Sequence, residues 1–175
     1  MTRNDLKRKL TTIFSADAAG YSRLMCRDEE TTVITLSDYR RIMSQCVEDH
    51  RGRVVDAPGD NLLAEFGCAV DAVTCAIAVQ KKLEMKNADL PEDKRMRYRI
   101  GINYGEVLTE GGRLYGTGVN IASRLESNAE PGGICISRPV FGRVQGLRPL
   151  KYEFMGKYVV KNICKQVDMF KIIMD

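Results

Sequence analysis

The chain has 175 residues, of which 44% are hydrophobic and 29% charged, and its net charge is +4 at neutral pH. This length and balance predict one soluble domain whose core is large enough to need no stabilising metal or disulfide. No run approaches the roughly 18 apolar residues of a membrane span, and the scattered basic residues lack the interleaved aromatics of a nucleic-acid-binding surface.

The cysteine pattern argues against a zinc site. No pair has CxxC spacing, and His50 is the only histidine. No secretory signal precedes the cysteines, so reduced thiols in a cytoplasmic protein are expected. The six cysteines stand at positions 26, 46, 68, 75, 135 and 164.

The first half of the chain predicts a strand, a helix, a hairpin and a second helix. The strand, LTTIFSADAAG, stops at Asp17 and Gly20, and the first helix, DEETTVITLSDYRRIMSQCVEDHRG, has acids in its first turn. Gly52 is expected to end this helix as its C-terminal glycine. RVVDA and NLLAEF then read as two strands around PGD. The second helix is CAVDAVTCAIAVQKKLEM, and KNADLPEDKRMR is predicted to be an exposed connection.

The second half predicts further strands around one longer helix. RYRIGINYGEVLTE and GRLYG are strands joined by a glycine turn, and TGVNIASRLESNAEPGG is a helix ended by Pro-Gly-Gly. ICIS is a short strand, PVFGRVQG a short helix, and LKYEFMGKYVVKNICKQVDMFKIIM a run of alternating strands. The order predicts an α+β fold, a mostly antiparallel sheet with helices on one face.

Two acids stand where predicted strands end. Asp17 follows the first strand, and Asp60 lies in the hairpin turn. If the two strands are neighbours, both carboxylates lie at one end of the sheet, where divalent cations would relieve their repulsion. Two carboxylates with substrate phosphates describe a Mg²⁺ site. The alternative is that both acids only cap turns, since aspartate is a common turn residue.

Five stretches, in their order and spacing, resemble the catalytic domain of class III nucleotidyl cyclases, and the resemblance is strongest to bacterial adenylate cyclases. The stretches are FSADAAGYSRLM, GRVVDAPGDNLLAEF, YRIGINYGEV, YGTGVNIASRLE and VVKNI. The resemblance covers roughly residues 9–173, essentially the whole chain. The resemblance implies a ferredoxin-like βαββαβ core with extra C-terminal strands. It also implies a homodimer with sites shared between the chains, and cyclisation of a nucleoside triphosphate, with ATP as the expected substrate and two Mg²⁺ or Mn²⁺ ions per site.

The resemblance assigns roles residue by residue. Asp17 and Asp60 match the metal-binding carboxylates, and Lys161 matches a lysine that contacts the triphosphate. Asn120 and Arg124 match an asparagine that holds the ribose and an arginine that stabilises charge on the α-phosphate. Their spacing of four places both side chains on one side of a helix.

From the sequence alone, Arg124 and Lys161 could also be ordinary surface residues with no role in catalysis. Arg124 could form a surface ion pair with Glu126 or Glu130, because charged helix faces are usually solvated. Lys161 could be an ordinary exposed lysine on a late strand.

The base-reading positions depart from the family pattern. Many of these adenylate cyclases have a lysine four residues before the hairpin aspartate, and an aspartate or threonine seven residues before the asparagine. Asp56 and Arg113 occupy these positions here, so the charges are exchanged. The pair can satisfy the donors and acceptors of adenine or of guanine, a pyrimidine triphosphate is a further option, or the two side chains can pair with each other.

ATP is the favoured substrate because the motifs as wholes resemble those of bacterial adenylate cyclases. A guanylate or other nucleotidyl cyclase is the first alternative. The rival from another class is a cyclase-like module that binds a nucleotide without turnover, which the altered base pocket favours and the intact acids oppose. A ferredoxin-like nucleic-acid binder lacks the exposed aromatics that stack on bases.

Overall fold

Eight strands and five α-helices make up most of residues 2–160 and 165–174, the part of the chain that the computed structural model describes. The strands are β1 (Lys7–Ala18), β2 (Gly52–Asp56), β3 (Leu62–Phe66), β4 (Tyr98–Glu110), β5 (Arg113–Tyr115), β6 (Ile134–Ser137), β7 (Lys151–Val159) and β8 (Gln166–Ile173). The helices are α1 (Tyr21–Arg27), α2 (Glu29–Asp49), α3 (Ala69–Ala88), α4 (Thr117–Asn128) and α5 (Arg138–Val144), with a 3-10 turn at Glu92–Lys94.

The strands form one sheet in the order β2-β3-β1-β4-β6-β8-β7, and β5 pairs with the far end of β4. Every pairing is antiparallel except β4 with β6. The units β1-α2-β2-β3-α3-β4, with spatial order β4-β1-β3-β2, are the ferredoxin-like βαββαβ arrangement. The predicted α+β class, core and trailing strands are therefore confirmed.

The two faces of the sheet carry different helices. Ile100 and Ile102 point into the main core, which α2, α3 and α5 cover. Successive strand residues point to opposite faces, and a side chain at Gly101 would collide with the backbone of Ala122 and Glu126 on α4. The prediction of helices on one face thus describes α2, α3 and α5, whereas α4 packs on the other face.

The junction between α2 and β2 differs from its prediction. Gly52 was expected to end α2, but the helix stops at Asp49 and Arg51 takes the left-handed conformation, with φ 63°. Gly52 begins β2, where an added Cβ would lie 2.7 Å from the Phe66 ring atom Cζ. Close packing against an aromatic ring, rather than helix termination, therefore requires the glycine.

A buried hydrogen-bond network ties α2 to α3. The Tyr39 hydroxyl donates to Asn87 Oδ1 at 2.6 Å, and Asn87 Nδ2 donates to the carbonyl of Met96 at 2.9 Å. Asn87 and Met96 are buried, so the predicted exposed connection from residue 86 to 97 begins inside α3 and ends in the core.

The longest helices are amphipathic rather than uniformly apolar. Helix α2 has 21 residues and α3 has 20, and each carries charged residues on its outer side. Within residues 2–160 and 165–174, no helix combines the length and the hydropathy that crossing a bilayer requires.

Candidate active site

The two predicted metal-binding acids converge at one end of the sheet. Strand β1 pairs with β3 in an antiparallel ladder, which brings the β2–β3 turn beside the end of β1. Asp60 Oδ2 accepts a hydrogen bond from the backbone N–H of Ala18 at 3.2 Å, next to Asp17 in the chain. Arg40 on α2 donates to the carbonyl of Gly59 and holds the turn from the helix side. The neighbouring strands assumed from the sequence are thus present.

Asp17 is paired with an arginine that sequence reasoning did not identify. Arg99 lies opposite Asp17 in the β1–β4 ladder. Its Nε and Nη2 donate to Asp17 Oδ1 and Oδ2 at 3.0 and 2.8 Å. Both carboxylate oxygens are therefore engaged, and a cation that binds Asp17 has to share the carboxylate with this guanidinium or replace it.

A third carboxyl group, that of Glu126, lies close to the Asp17–Arg99 pair. Glu126 on α4 is 2% exposed, and it accepts hydrogen bonds from the hydroxyls of Ser15 and Ser127 at 3.5 and 3.3 Å. Burial raises the pKa of Glu126, and the nearby Asp17 carboxylate raises it further. The side chain therefore favours its protonated form and faces the sheet, away from solvent.

The donor set at this edge fits a hard divalent cation that also takes ligand oxygens. Asp60 uses one oxygen for Ala18 and keeps the other for a ligand. In the described ranges, no three His, Cys, Asp or Glu side chains form a metal-binding group by themselves. Mg²⁺ commonly binds one or two protein carboxylates together with substrate phosphates, so Asp17 and Asp60 suit an ion that arrives with a polyphosphate.

Asn120 and Arg124 lie on the exposed side of α4. The ion pairs considered for Arg124 do not form, because Glu126 faces the sheet and Glu130 binds Lys171 at 2.9 Å. No ion pair of Arg124 is present among the residues that the structure describes. Its guanidinium is thus available to a ligand, in line with the predicted role.

The base-reading candidates Asp56 and Arg113 are both exposed. Asp56 Oδ1 accepts from the backbone N–H of Ala57 at 2.9 Å, and within the described chain no ion pair joins Asp56 to Arg113. The option that they neutralise each other is therefore not observed. Lys161, the predicted triphosphate contact, lies outside the described residues.

Comparison with known proteins identifies the family. The model of the adenylate and guanylate cyclase catalytic domain matches residues 6–173. The chain belongs to the class III nucleotidyl cyclase family.

Among relatives of this cyclase domain, "Putative adenylate cyclase 3" of Rhizobium meliloti (strain 1021) is 40% identical over 171 residues. The match covers 97% of this chain and 29% of that protein, so the cyclase domain spans under a third of that relative's length.

Two solved structures share the fold over almost the whole chain. The adenylate/guanylate cyclase/hydrolase from Silicibacter pomeroyi has a TM-score of 0.91 and 36% identity, with coverage of 97% of this chain and 99% of that one. The adenylyl cyclase CyaB from P. aeruginosa has a TM-score of 0.83 and 25% identity, with coverage of 97% and 96%.

Sequence reasoning missed three residues of the cyclase site, and two of them left a signal. Arg99 is a charged residue between the buried Tyr98 and Ile100, and a correct β1–β4 register would have placed it opposite Asp17. Glu126 lies two positions from Arg124, so helical geometry turns it to a different side of α4. The contact of Arg40 with the β2–β3 turn depends on tertiary packing and left no local pattern.

Proposed function

We propose that residues 9–173 are an adenylate cyclase catalytic domain that converts ATP to 3′,5′-cyclic AMP and pyrophosphate. The observation that carries the proposal is the hydrogen bond from Ala18 to Asp60, which joins Asp60 to the strand end that holds Asp17. The exposure of Asn120 and Arg124 on α4 supports a homodimer in which each site takes its acids from one chain. The opposite chain then supplies Asn120 and Arg124.

Each group has a role that follows from its chemistry. Asp17 and Asp60 would hold two Mg²⁺ or Mn²⁺ ions, which when bound supply activation of the ribose 3′-hydroxyl and neutralisation of phosphate charge. Asn120 orients the ribose, and Arg124 donates hydrogen bonds to the charge that develops on the α-phosphate. A guanidinium suits this role because it is always charged and presents its donors in a plane.

The reaction balances without a further reactant. The 3′-oxygen bonds to the α-phosphorus, the bond from that phosphorus to the bridging oxygen breaks, and pyrophosphate leaves while the hydroxyl proton is released. In this scheme, Lys161 contacts the β- and γ-phosphates, which leave as pyrophosphate.

ATP is the proposed substrate because the motifs resemble those of bacterial adenylate cyclases, and two of the three relatives described above carry adenylate cyclase names. Asp56 accepts from the exocyclic amine of adenine, and Arg113 donates to a ring nitrogen. The second candidate is a guanylate cyclase, which the acid at position 56 favours, because guanine offers adjacent donors that a carboxylate can accept.

The test of the site uses Mn²⁺, purified protein and a cyclic-nucleotide assay with each of the four ribonucleoside triphosphates. Asp17→Asn and Asp60→Asn are each expected to lower turnover by more than about 10²-fold, because metal binding and charge neutralisation are lost. Asp71→Asn is the matched control, since Asp71 binds Arg51 on the surface, and it should retain activity. Tight binding of ATP without any product would favour the non-catalytic module.

Mixing two inactive variants tests the shared site. When Asp17→Asn and Arg124→Ala chains exchange, half of the dimers are mixed and each mixed dimer has one intact site. The mixture should therefore recover about one quarter of wild-type activity per chain. No recovery after verified exchange would contradict sites built from two chains.

A further inference from the structure

We propose that Arg53 is a positioning residue for base recognition. Its guanidinium holds the β4–β5 turn, and with it Arg113, against the strand that carries Asp56. The inference rests on the proposed function, in which Asp56 and Arg113 read the base of the nucleotide.

Arg53 joins two strands that share no ladder. Strand β2 is an edge of the sheet beside β3, whereas β5 pairs with β4, yet β2 and β5 are in contact. Arg53 Nη2 donates to the carbonyl of Gly112 at 2.9 Å, and its Nε donates to Glu65 Oε1 at 3.0 Å. Gly112 immediately precedes Arg113, so the bond fixes the backbone from which Arg113 projects.

Glu65 gives Arg53 a firm anchor. Glu65 is 8% exposed, and Lys9 Nζ lies 2.8 Å from its second oxygen. Burial opposes ionisation of Glu65, but the cations of Lys9 and Arg53 beside it lower its pKa below the ordinary value. A buried, ionised carboxylate holds a charged donor more firmly than an exposed one does.

A bulge brings Arg53 and Asp56 to the same face of the sheet. Residues three apart in a regular strand point to opposite faces. The β2–β3 register shifts between Val54 and Asp56, so that Arg53 pairs with Glu65 and Asp56 pairs with Leu63. Paired residues share a face, as do Glu65 and Leu63 two apart on β3. The brace and the base-reading acid therefore lie on one side of the sheet.

The β4–β5 turn that Arg53 holds consists of two glycines, which restrict the backbone little. Gly111 and Gly112 both have positive φ, 56° and 80°, and neither has a side chain that could fix the turn by packing. The bond from Arg53 therefore supplies order that the local sequence does not.

The test compares Arg53→Met with Lys9→Met. Both substitutions remove one cation from Glu65, but only the first removes the bond to Gly112. With Mn²⁺ and either ATP or GTP, Arg53→Met should reduce the preference for the better purine, measured as the ratio of the two kcat/KM values, by about 3- to 10-fold, the net loss expected for one hydrogen bond. The change should appear mainly in KM, since among the described residues the hydrogen bonds and ion pairs of Arg53 go to Glu65 and Gly112 rather than to Asp17, Asp60 or Arg124. Lys9→Met should leave the ratio unchanged. An unaltered ratio in Arg53→Met, or an equal loss in both variants, would overturn the proposal.

Hydrogen exchange separates the brace from the enzymatic activity. In the free protein, amides of residues 108–116 should exchange faster in Arg53→Met than in Lys9→Met or the wild type. Unchanged exchange refutes the brace even if wild-type protein makes cyclic product. If Arg53→Met exchanges faster but the wild-type protein turns over no triphosphate, the proposed function is refuted, while the role of Arg53 in holding the turn is supported.

Discussion

Replacement of Gly101 by alanine tests how tightly α4 is seated on the sheet. A Cβ at this position would overlap the Ala122 carbonyl and the Glu126 N–H, and it would lie 2.9 Å from the Glu126 Cα atom. Carbon atoms in contact normally lie about 3.5–4.0 Å apart. All of these atoms belong to the backbone of α4, so no side chain can rotate away. Helix α4 has to shift outward by about 1 Å.

The shift should have two measurable consequences. Overpacking of this kind costs about 1–3 kcal/mol, which should appear as a lower denaturant midpoint with an unchanged slope. Helix α4 also carries Asn120 and Arg124, and a misplacement of about 1 Å at a catalytic group can cost about 10²-fold in rate. We therefore expect Gly101→Ala to lose far more turnover than its remaining folded fraction would explain.

Gly67→Ala is the matched control, because nothing lies within 4 Å of its added Cβ. That variant should unfold near the wild-type midpoint and keep its turnover. If Gly101→Ala is as stable and active as Gly67→Ala, then α4 does not rest on β4 as described, and its backbone does not set the position of Arg124.

Three further predictions follow from buried and ligand-binding groups. In metal-free buffer, the raised pKa of Glu126 means that the folded protein keeps a proton that the unfolded chain has lost, so stability should fall as pH rises from about 5 to 8. Glu126→Gln should abolish most of this slope in urea unfolding, and an identical slope would contradict the assignment. Tyr39→Phe removes the buried bond to Asn87 and should cost about 1–2 kcal/mol in the same assay, whereas a change below the measurement error would show that the bond contributes nothing. Mn²⁺ with 3′-deoxy-ATP at about 100 times its dissociation constant should stabilise the wild type by about 2.7 kcal/mol in thermal unfolding, and an equal gain in Asp60→Asn would argue against metal binding at Asp60.

The sequence was sufficient for the elements with strong local patterns. The β2–β3 hairpin, the long α2 and α3, and the strand pair after residue 97 are where the alternation, the helical spacing and the glycine turns placed them. Helix α1 was missed because only Leu24 among its seven residues is buried, so no apolar period marks it. The face on which α4 packs was also not readable from periodicity, since it is decided by the missing Cβ at Gly101 on another strand.

The candidate site also contains some residues that the sequence predicts and others that depend on tertiary structure. Asp17 and Asp60 could be proposed because Asp17 lies at the end of a predicted strand and Asp60 in a predicted hairpin turn, and the structure joins the Asp60 carboxylate to the residue after Asp17. Arg99 and Arg53 were not proposed, because the partner of Arg99 depends on strand register and the contact of Arg53 with Gly112 depends on the packing of β2 beside the β4–β5 turn. A register is a tertiary property, and a shift of one residue reverses the face of every side chain that follows.

The pairing of Asp17 with Arg99 has a consequence for the order in which ligands bind. A metal ion that arrives alone at Asp17 places its charge beside the Arg99 guanidinium, which is unfavourable because like charges repel at a partly enclosed surface. An ion that arrives with an anionic ligand brings the counter-charge with it. Free metal should therefore have low affinity for the resting protein, and metal and nucleotide should each strengthen the binding of the other by the same factor.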